Sequence, residues 1–193
     1  MGKETEVYFS VDIEAAGKIP GVYSMLSIGA AVVGDTSKNF YAELKPINSN
    51  YDQASLDVCG LSMETLAATG KDPEEVMYAF SKWVKETSAG AVPVFVSFGS
   101  FDWMFTKWYL ERYGYGSLFG VNGIDIKSYA MGMLNTGWAG TTKSRLPADL
   151  MPGTKHTHNA LDDAKEQAEL FYNLLRRNAN MHALRNAHKS KNF

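Results

Sequence analysis

The chain has 193 residues, 45% of them hydrophobic, which favours one domain with a sizeable core and excludes a disordered polymer. A net charge of −2 excludes a polycation that coats nucleic acid through many Lys and Arg contacts to phosphates. Cys59 is the sole cysteine, so no intrachain disulfide can form; the N-terminus is polar and no apolar run approaches the roughly 20 residues that span a bilayer, so a cytoplasmic protein without a membrane partner is expected.

Val7 to Glu14 predicts a strand rich in β-branched and aromatic residues. Its period of two puts Ser10, Asp12 and Glu14 on one face and Phe9, Val11 and Ile13 on the other. Apolar residues all round make it a central strand, where two acids on one face need a cation to neutralise them. Ala15 to Tyr23 reads as a loop, Met25 to Val33 as a second strand, Gly34 to Asn39 as a turn and Phe40 to Leu44 as a third strand. Short connections join these as an antiparallel meander.

Ser55 to Thr69 reads as short helices around Gly60. Asp72-Pro73-Glu74-Glu75 starts a helix with a cap, a proline and acids in the first turn, and Val76, Phe80, Trp83 and Val84 give it an apolar stripe. Ala91 to Phe98 predicts a buried strand, with Ser100 capping a helix over 101–113 that carries Asp102 in its first turn. Ile124 to Ile126 is a short strand candidate before a helix over 127–134. Residues 135–157 read as a loop longer than ordinary connections, which marks it as functional. A last helix runs from Asn159 to about Asn178, followed by a basic tail over 179–193, and no linker divides the core at about 7–178. The pattern is an α/β fold with a mixed sheet and helices on its faces.

Asp12 and Glu14, two residues apart on one strand face, suit a hard cation such as Mg²⁺ or Mn²⁺. Asp102 follows a buried strand, where α/β sheets place their sites. On the last helix, Ala160, Ala164, Ala168, Phe171 and Leu175 define the apolar face. At about 100° per residue, Asp162 falls opposite it with Glu166 and Glu169, while Asp163 falls at its edge between Leu170 and Leu174. Asp163 is therefore the expected ligand and Asp162 a solvated acid. His158 sits one step before this helix and can hang over a site that Asp163 helps build; His156 lacks that spacing, and His182 and His188 read as solvated. Acids dominate the set and no cysteine joins it, so zinc fits poorly. The set suits two-metal phosphodiester hydrolysis, with Asp12 as bridging ligand, Glu14 and Asp163 completing one site, Asp102 on the second ion and His158 taking the proton of the attacking water.

Phe9-Ser-Val-Asp-Ile-Glu-Ala15, Phe98-Gly-Ser-Phe-Asp102 and His158-Asn-Ala-Leu-Asp-Asp163 together resemble the three motifs of the DEDD exonucleases, the DnaQ-like or ribonuclease T-like group. Histidine five residues before the final aspartate resembles the DEDDh branch; the tyrosine branch would carry Tyr where this chain has Asn159. The resemblance runs from about Val7 to Leu175. It implies a ribonuclease H-like fold, with three antiparallel strands first in a central mixed five-stranded sheet. It further implies two Mg²⁺ or Mn²⁺ ions, and stepwise 3′→5′ release of nucleoside monophosphates from single-stranded DNA or RNA. Asp125 matches an aspartate often found in the family and reads either as structural or as a support behind the metal ligands. Where many members continue the first motif with Thr-Gly, this chain has Ala15-Ala-Gly-Lys-Ile-Pro-Gly21. Ala15, Tyr23 and Phe101, with Ile19 and Met25, are the candidates for contact with the terminal bases, because aromatic and apolar faces hold unpaired bases without reading sequence. Trp103, Trp108 and Trp138 read as packing residues. Two other functions fit the fold: a catalytically idle nucleic-acid-binding module, and an RNA-processing exoribonuclease for short oligomers. The four acids argue against the idle module, since a binder has no use for them beside an anionic ligand. By analogy with the family, a homodimer is a further expectation.

Overall fold

The computed structural model describes residues 5–153 and 157–189, with side chains through 183. His156 and the side chain of His188 lie outside the described residues. Strands β1 (Glu6–Ala15), β2 (Met25–Val32), β3 (Asp35–Glu43), β4 (Val92–Ser97) and β5 (Ile124–Asp125) form one sheet in the order β3-β2-β1-β4-β5. The first three are antiparallel neighbours, and β4 and β5 run parallel to β1. This is the mixed five-stranded sheet of the ribonuclease H-like fold, with β1 at its centre. The turn between β2 and β3 is shorter than expected: Gly34 adopts φ +88°, so the chain reverses within Val33-Gly34 and the strand resumes at Asp35.

The helices are α1 (Gln53–Cys59), α2 (Met63–Thr69), α3 (Pro73–Ser88), α4 (Phe101–Arg112), α5 (Ile126–Leu134) and α6 (Ala160–Lys189). Asp52, Ser62, Asp72 and Asp125 cap the first three and α5 by accepting bonds from backbone N–H groups. Ser100 occupies the cap position of α4, but its hydroxyl makes no capping bond, because it sits in a helical rather than an extended conformation. Phe9, Val11 and Ile13 pack on one face of the sheet with Val76, Phe80 and Val84 of α3 and Phe105 and Tyr109 of α4. The opposite face carries α5 and α6, through Ile126, Leu170, Phe171 and Leu174.

The last helix is longer than the sequence predicts, reaching Lys189 instead of ending near Asn178. After Leu175 the chain runs on in Arg, Ala, Asn, His, Met, Leu and Lys with neither glycine nor proline, so no strong breaker stops it. The long connection 135–157 carries two 3-10 turns, Trp138–Thr141 and Lys143–Arg145. Among the described residues, no helix is long and apolar enough to cross a membrane.

Candidate active site

Asp12 is buried and Glu14 half-buried on the face of β1 that α6 covers, where they meet Gln167 and Asp163 of that helix. Opposite Asp12 on β2 stands Gly29. A Cβ at Gly29 would lie 2.2 Å from the carbonyl group of Ala160. Directly paired antiparallel residues share a face. The missing side chain therefore lets the first turn of α6 rest on the sheet beside Asp12.

That contact fixes Asp163, which is fully buried, while Asp162 is exposed, as the helical phase predicts. Asn159 caps α6, its Oδ1 accepting from the N–H groups of Leu161 at 3.0 Å and Asp162 at 3.3 Å. The N–H of Thr157 donates to Asp163 Oδ1 at 3.0 Å, tying the incoming loop to the carboxylate. Between them stands His158, exposed and held at φ +57°, a backbone conformation uncommon for a residue with a side chain. Ligand atoms of Glu14, His158 and Asp163 all lie within 4.8 Å of one another.

Asp102 reaches the cluster from the other face of the sheet. Its Oδ1 accepts from the N–H of Ile13 at 3.2 Å, gripping β1 between the two acids. Gln167, one turn beyond Asp163, donates from Nε2 to Asp12 Oδ1 at 2.6 Å and accepts at Oε1 from the N–H of Phe98 at 3.0 Å. So Asp12, Asp102 and Asp163 each have one oxygen held by a protein donor.

Concentrating this charge has a consequence for protonation. Burial, then repulsion from Asp102, Glu14 and Asp163, holds the Asp12 carboxyl well above the usual range, against the pull of Gln167. Burial and the charges of Asp163 and Asp102 push Glu14 up to about 8. Burial pushes Asp102 up to about 7, opposed by the N–H of Ile13 and by Lys143. Carboxylates that resist ionisation when crowded are stabilised by a cation among them.

A groove of about 300 Å³ opens beside Glu14, lined by Ala15, Gly17, Lys18, Asp52, Val58 and Phe101. Among the residues expected to contact bases, Ala15 and the half-exposed Phe101 line it. Tyr23 instead packs across Gly17 and against Ala16, Leu26 and Leu66, and neither it nor the exposed Ile19 lines the groove. Met25 is 0% exposed in the core, so it cannot stack on a base; the side of β2 that carries it faces α4, where its N–H meets the Tyr109 hydroxyl. Asp125 accepts from the N–H of Lys127 at 2.9 Å and caps α5, a structural role.

Sequence reasoning missed Gln167, Gly29 and the pair Lys143–Glu166. Gln167 was findable, four residues after Asp163 on one helix face. Glu166 is not solvated as its phase suggests: it is 3% exposed, because the 3-10 turn at Lys143 folds over it and forms an ion pair. Nothing local marks Lys143, since the pairing depends on where the long connection lands.

The pattern of the 3′-5′ exoribonuclease Rv2179c-like domain matches residues 7–175. The Escherichia coli 3′-5′ DNA exonuclease Cap18 is 42% identical over 173 residues, covering 89% of this chain and 92% of that protein. The nuclease domain of 3′hExo, a DEDDh family member solved with rAMP, superposes with a TM-score of 0.74 at 16% identity, over 92% of this chain and 95% of that one. Escherichia coli exonuclease I in complex with a dA16 oligonucleotide gives 0.61 at 13% identity, over 88% of this chain and 41% of its own length. The chain belongs to the 3′-5′ exoribonuclease Rv2179c-like domain family and is a 3′-5′ exonuclease with the fold of a DEDDh nuclease domain.

Proposed function

We propose that the enzyme releases nucleoside monophosphates from the 3′ ends of single-stranded nucleic acid with two divalent cations, Mg²⁺ or Mn²⁺. The observation that carries this is the meeting of Glu14, His158 and Asp163 within 4.8 Å beside the buried Asp12. The donor set fits such ions: it is dominated by carboxylate oxygens, and its crowded acids are raised toward protonation by burial and by one another. Asp12, Glu14 and Asp163 would hold one cation, and Asp12 with Asp102 the second. When bound, the cations neutralise these acids and stabilise charge on the attacking and leaving oxygens.

The chain's own residues do the rest. A ring nitrogen of His158 takes the proton of the attacking water, whose oxygen bonds to phosphorus as the bond to the 3′ oxygen breaks. The leaving oxygen is protonated from solvent. Asp102, through Ile13 N–H, and Gln167, through Asp12, hold the acids of β1 in place. The groove beside Glu14, with Ala15 and Phe101, takes the terminal nucleoside.

The family is named for RNA and the Escherichia coli relative for DNA, so the sugar preference of this chain is settled by assay. Labelled RNA and DNA oligomers, marked at the 5′ end and incubated with Mn²⁺, should shorten in a ladder from the 3′ end. EDTA should abolish the ladder and added cation restore it. Activity that survives chelation would overturn the metal chemistry; a preference for short RNA would support a role on RNA oligomers.

A further inference from the structure

We propose that Phe98, Lys127, Trp138 and Lys143 form a stacking and charge platform for the single strand on the 5′ side of the scissile bond. This rests on the exonuclease chemistry assigned to the carboxylate cluster and extends it to the strand that stays bound.

Its place in the fold is the first argument. Phe98 N–H donates to Gln167, and Gln167 donates to Asp12, so one side chain joins the platform's backbone to the catalytic strand. The strand order sets β4 and β5, which lead to Phe98 and Lys127, on the side of β1 away from β2. The groove for the terminal nucleoside is lined instead by the end of β1, by α1 and by Phe101. A strand whose last nucleoside fills that groove passes the carboxylates and comes out over Phe98.

Chemistry is the second argument. Trp138 is 53% exposed, large for an indole, and Lys127 Nζ stands 4.1 Å from its ring centroid. Lys143 Nζ lies 5.3 Å and Lys127 Nζ 5.9 Å from the centroid of Phe98. Aromatic faces alternating with ammonium groups match a strand whose bases stack while its phosphates seek cations. Buried Glu166 fixes Lys143 in place, so this ammonium is positioned rather than free to wander. From residue 126 to residue 148 the chain carries Lys127, Lys143 and Arg145 and no acid at all. In a protein of net charge −2 with a cluster of acids at its centre, such a stretch offers the phosphates a favourable approach.

The competing explanation is that Lys127 merely pins Trp138 to hold the long connection. Steady-state hydrolysis by the full chain separates the two, using dinucleotides and long single-stranded oligomers of DNA and of RNA. Trp138→Ala should raise KM for the long oligomer about ten-fold, the size of one lost base–aromatic stack, with a smaller effect on the dinucleotide and little on kcat. Trp138→Phe should recover most of the loss. Lys127→Met should reduce the slope of log KM against log salt by about 0.7, as loss of one phosphate contact does for a single strand. Equal losses on dinucleotide and oligomer would show a structural role only and overturn the platform, as would an unchanged KM or an unchanged salt slope. Wild-type protein that hydrolyses neither substrate would overturn the exonuclease reading and the platform with it.

Discussion

Gln167 Nε2 donates to Asp12 Oδ1 at 2.6 Å, joining the last helix to the central strand across 155 positions of sequence. The bond fixes which oxygen of Asp12 faces the cluster, and the same side chain receives the N–H of Phe98. Partners that orient a metal-binding carboxylate typically carry about 10–100-fold in metal affinity or activity. Gln167→Leu should therefore lower activity by about that factor and raise the Mn²⁺ concentration needed for half-maximal rate. A variant with unchanged rate and unchanged metal dependence would make this contact incidental.

Gly29 makes a prediction of a different kind, because it touches no substrate. Its hydrogen occupies the place where a Cβ would meet the Ala160 backbone at 2.2 Å. Backbone cannot swing aside as a side chain can, so Gly29→Ala must displace the first turn of α6 and Asp163 with it. Overpacking of this sort costs about 1–3 kcal/mol, and misplacing a catalytic group by about 1 Å can cost about 100-fold in rate. Thermal denaturation and kcat measured together test both effects. A variant as stable and as active as wild type would mean the helix is not seated by this contact.

The adjacent acids of α6 should separate cleanly. Asp163 is buried against the cluster and Asp162 is exposed, accepting a long bond of 3.4 Å from the Thr157 hydroxyl. Asp163→Ala, like Asp12→Ala and His158→Ala, should reduce hydrolysis by orders of magnitude, whereas Asp162→Ala should stay within about three-fold of wild type, in line with the small effects of exposed substitutions. Initial rates on folded proteins decide this. An inactive Asp162→Ala beside an active Asp163→Ala would reverse the assignment.

How much of this was legible in the sequence follows from which signals are local. Strand β1 announces itself by alternation, and the phase of α6 separates Asp163 from Asp162, because both periodicities are written in neighbouring residues. The pairing of Asp12 with Gly29 is a matter of register between strands, which no local pattern records. Glu166 shows the limit of helical phase: its direction is right for solvent, yet a distant turn covers it with Lys143. Met25 fails as a base contact for a similar reason, since its strand lies under α4. Phase gives a side chain's direction, and only the tertiary fold says what stands there.

The crowded acids make the stability of the metal-free protein depend on pH in a direction that can be worked out. Burial comes first for all three groups: Asp12 is raised well above its ordinary value, Glu14 to about 8 and Asp102 to about 7. In the unfolded chain such carboxyls titrate near about 4. Between those limits the folded state holds more protons than the unfolded one, so stability falls as pH rises. The contribution is fully present below about pH 4 and is lost as pH passes through about 7 to 8. In EDTA, Tm should therefore decline from about pH 5 to about pH 8, before any alkaline effect. Mn²⁺ binds the ionised carboxylates, so its stabilisation should be larger at the upper end of that window than at the lower. Scanning calorimetry at both ends, with and without the cation, measures this. A chelated Tm that rises with pH, or a cation effect largest in acid, would mean that these carboxylates are ionised and compensated by the protein alone.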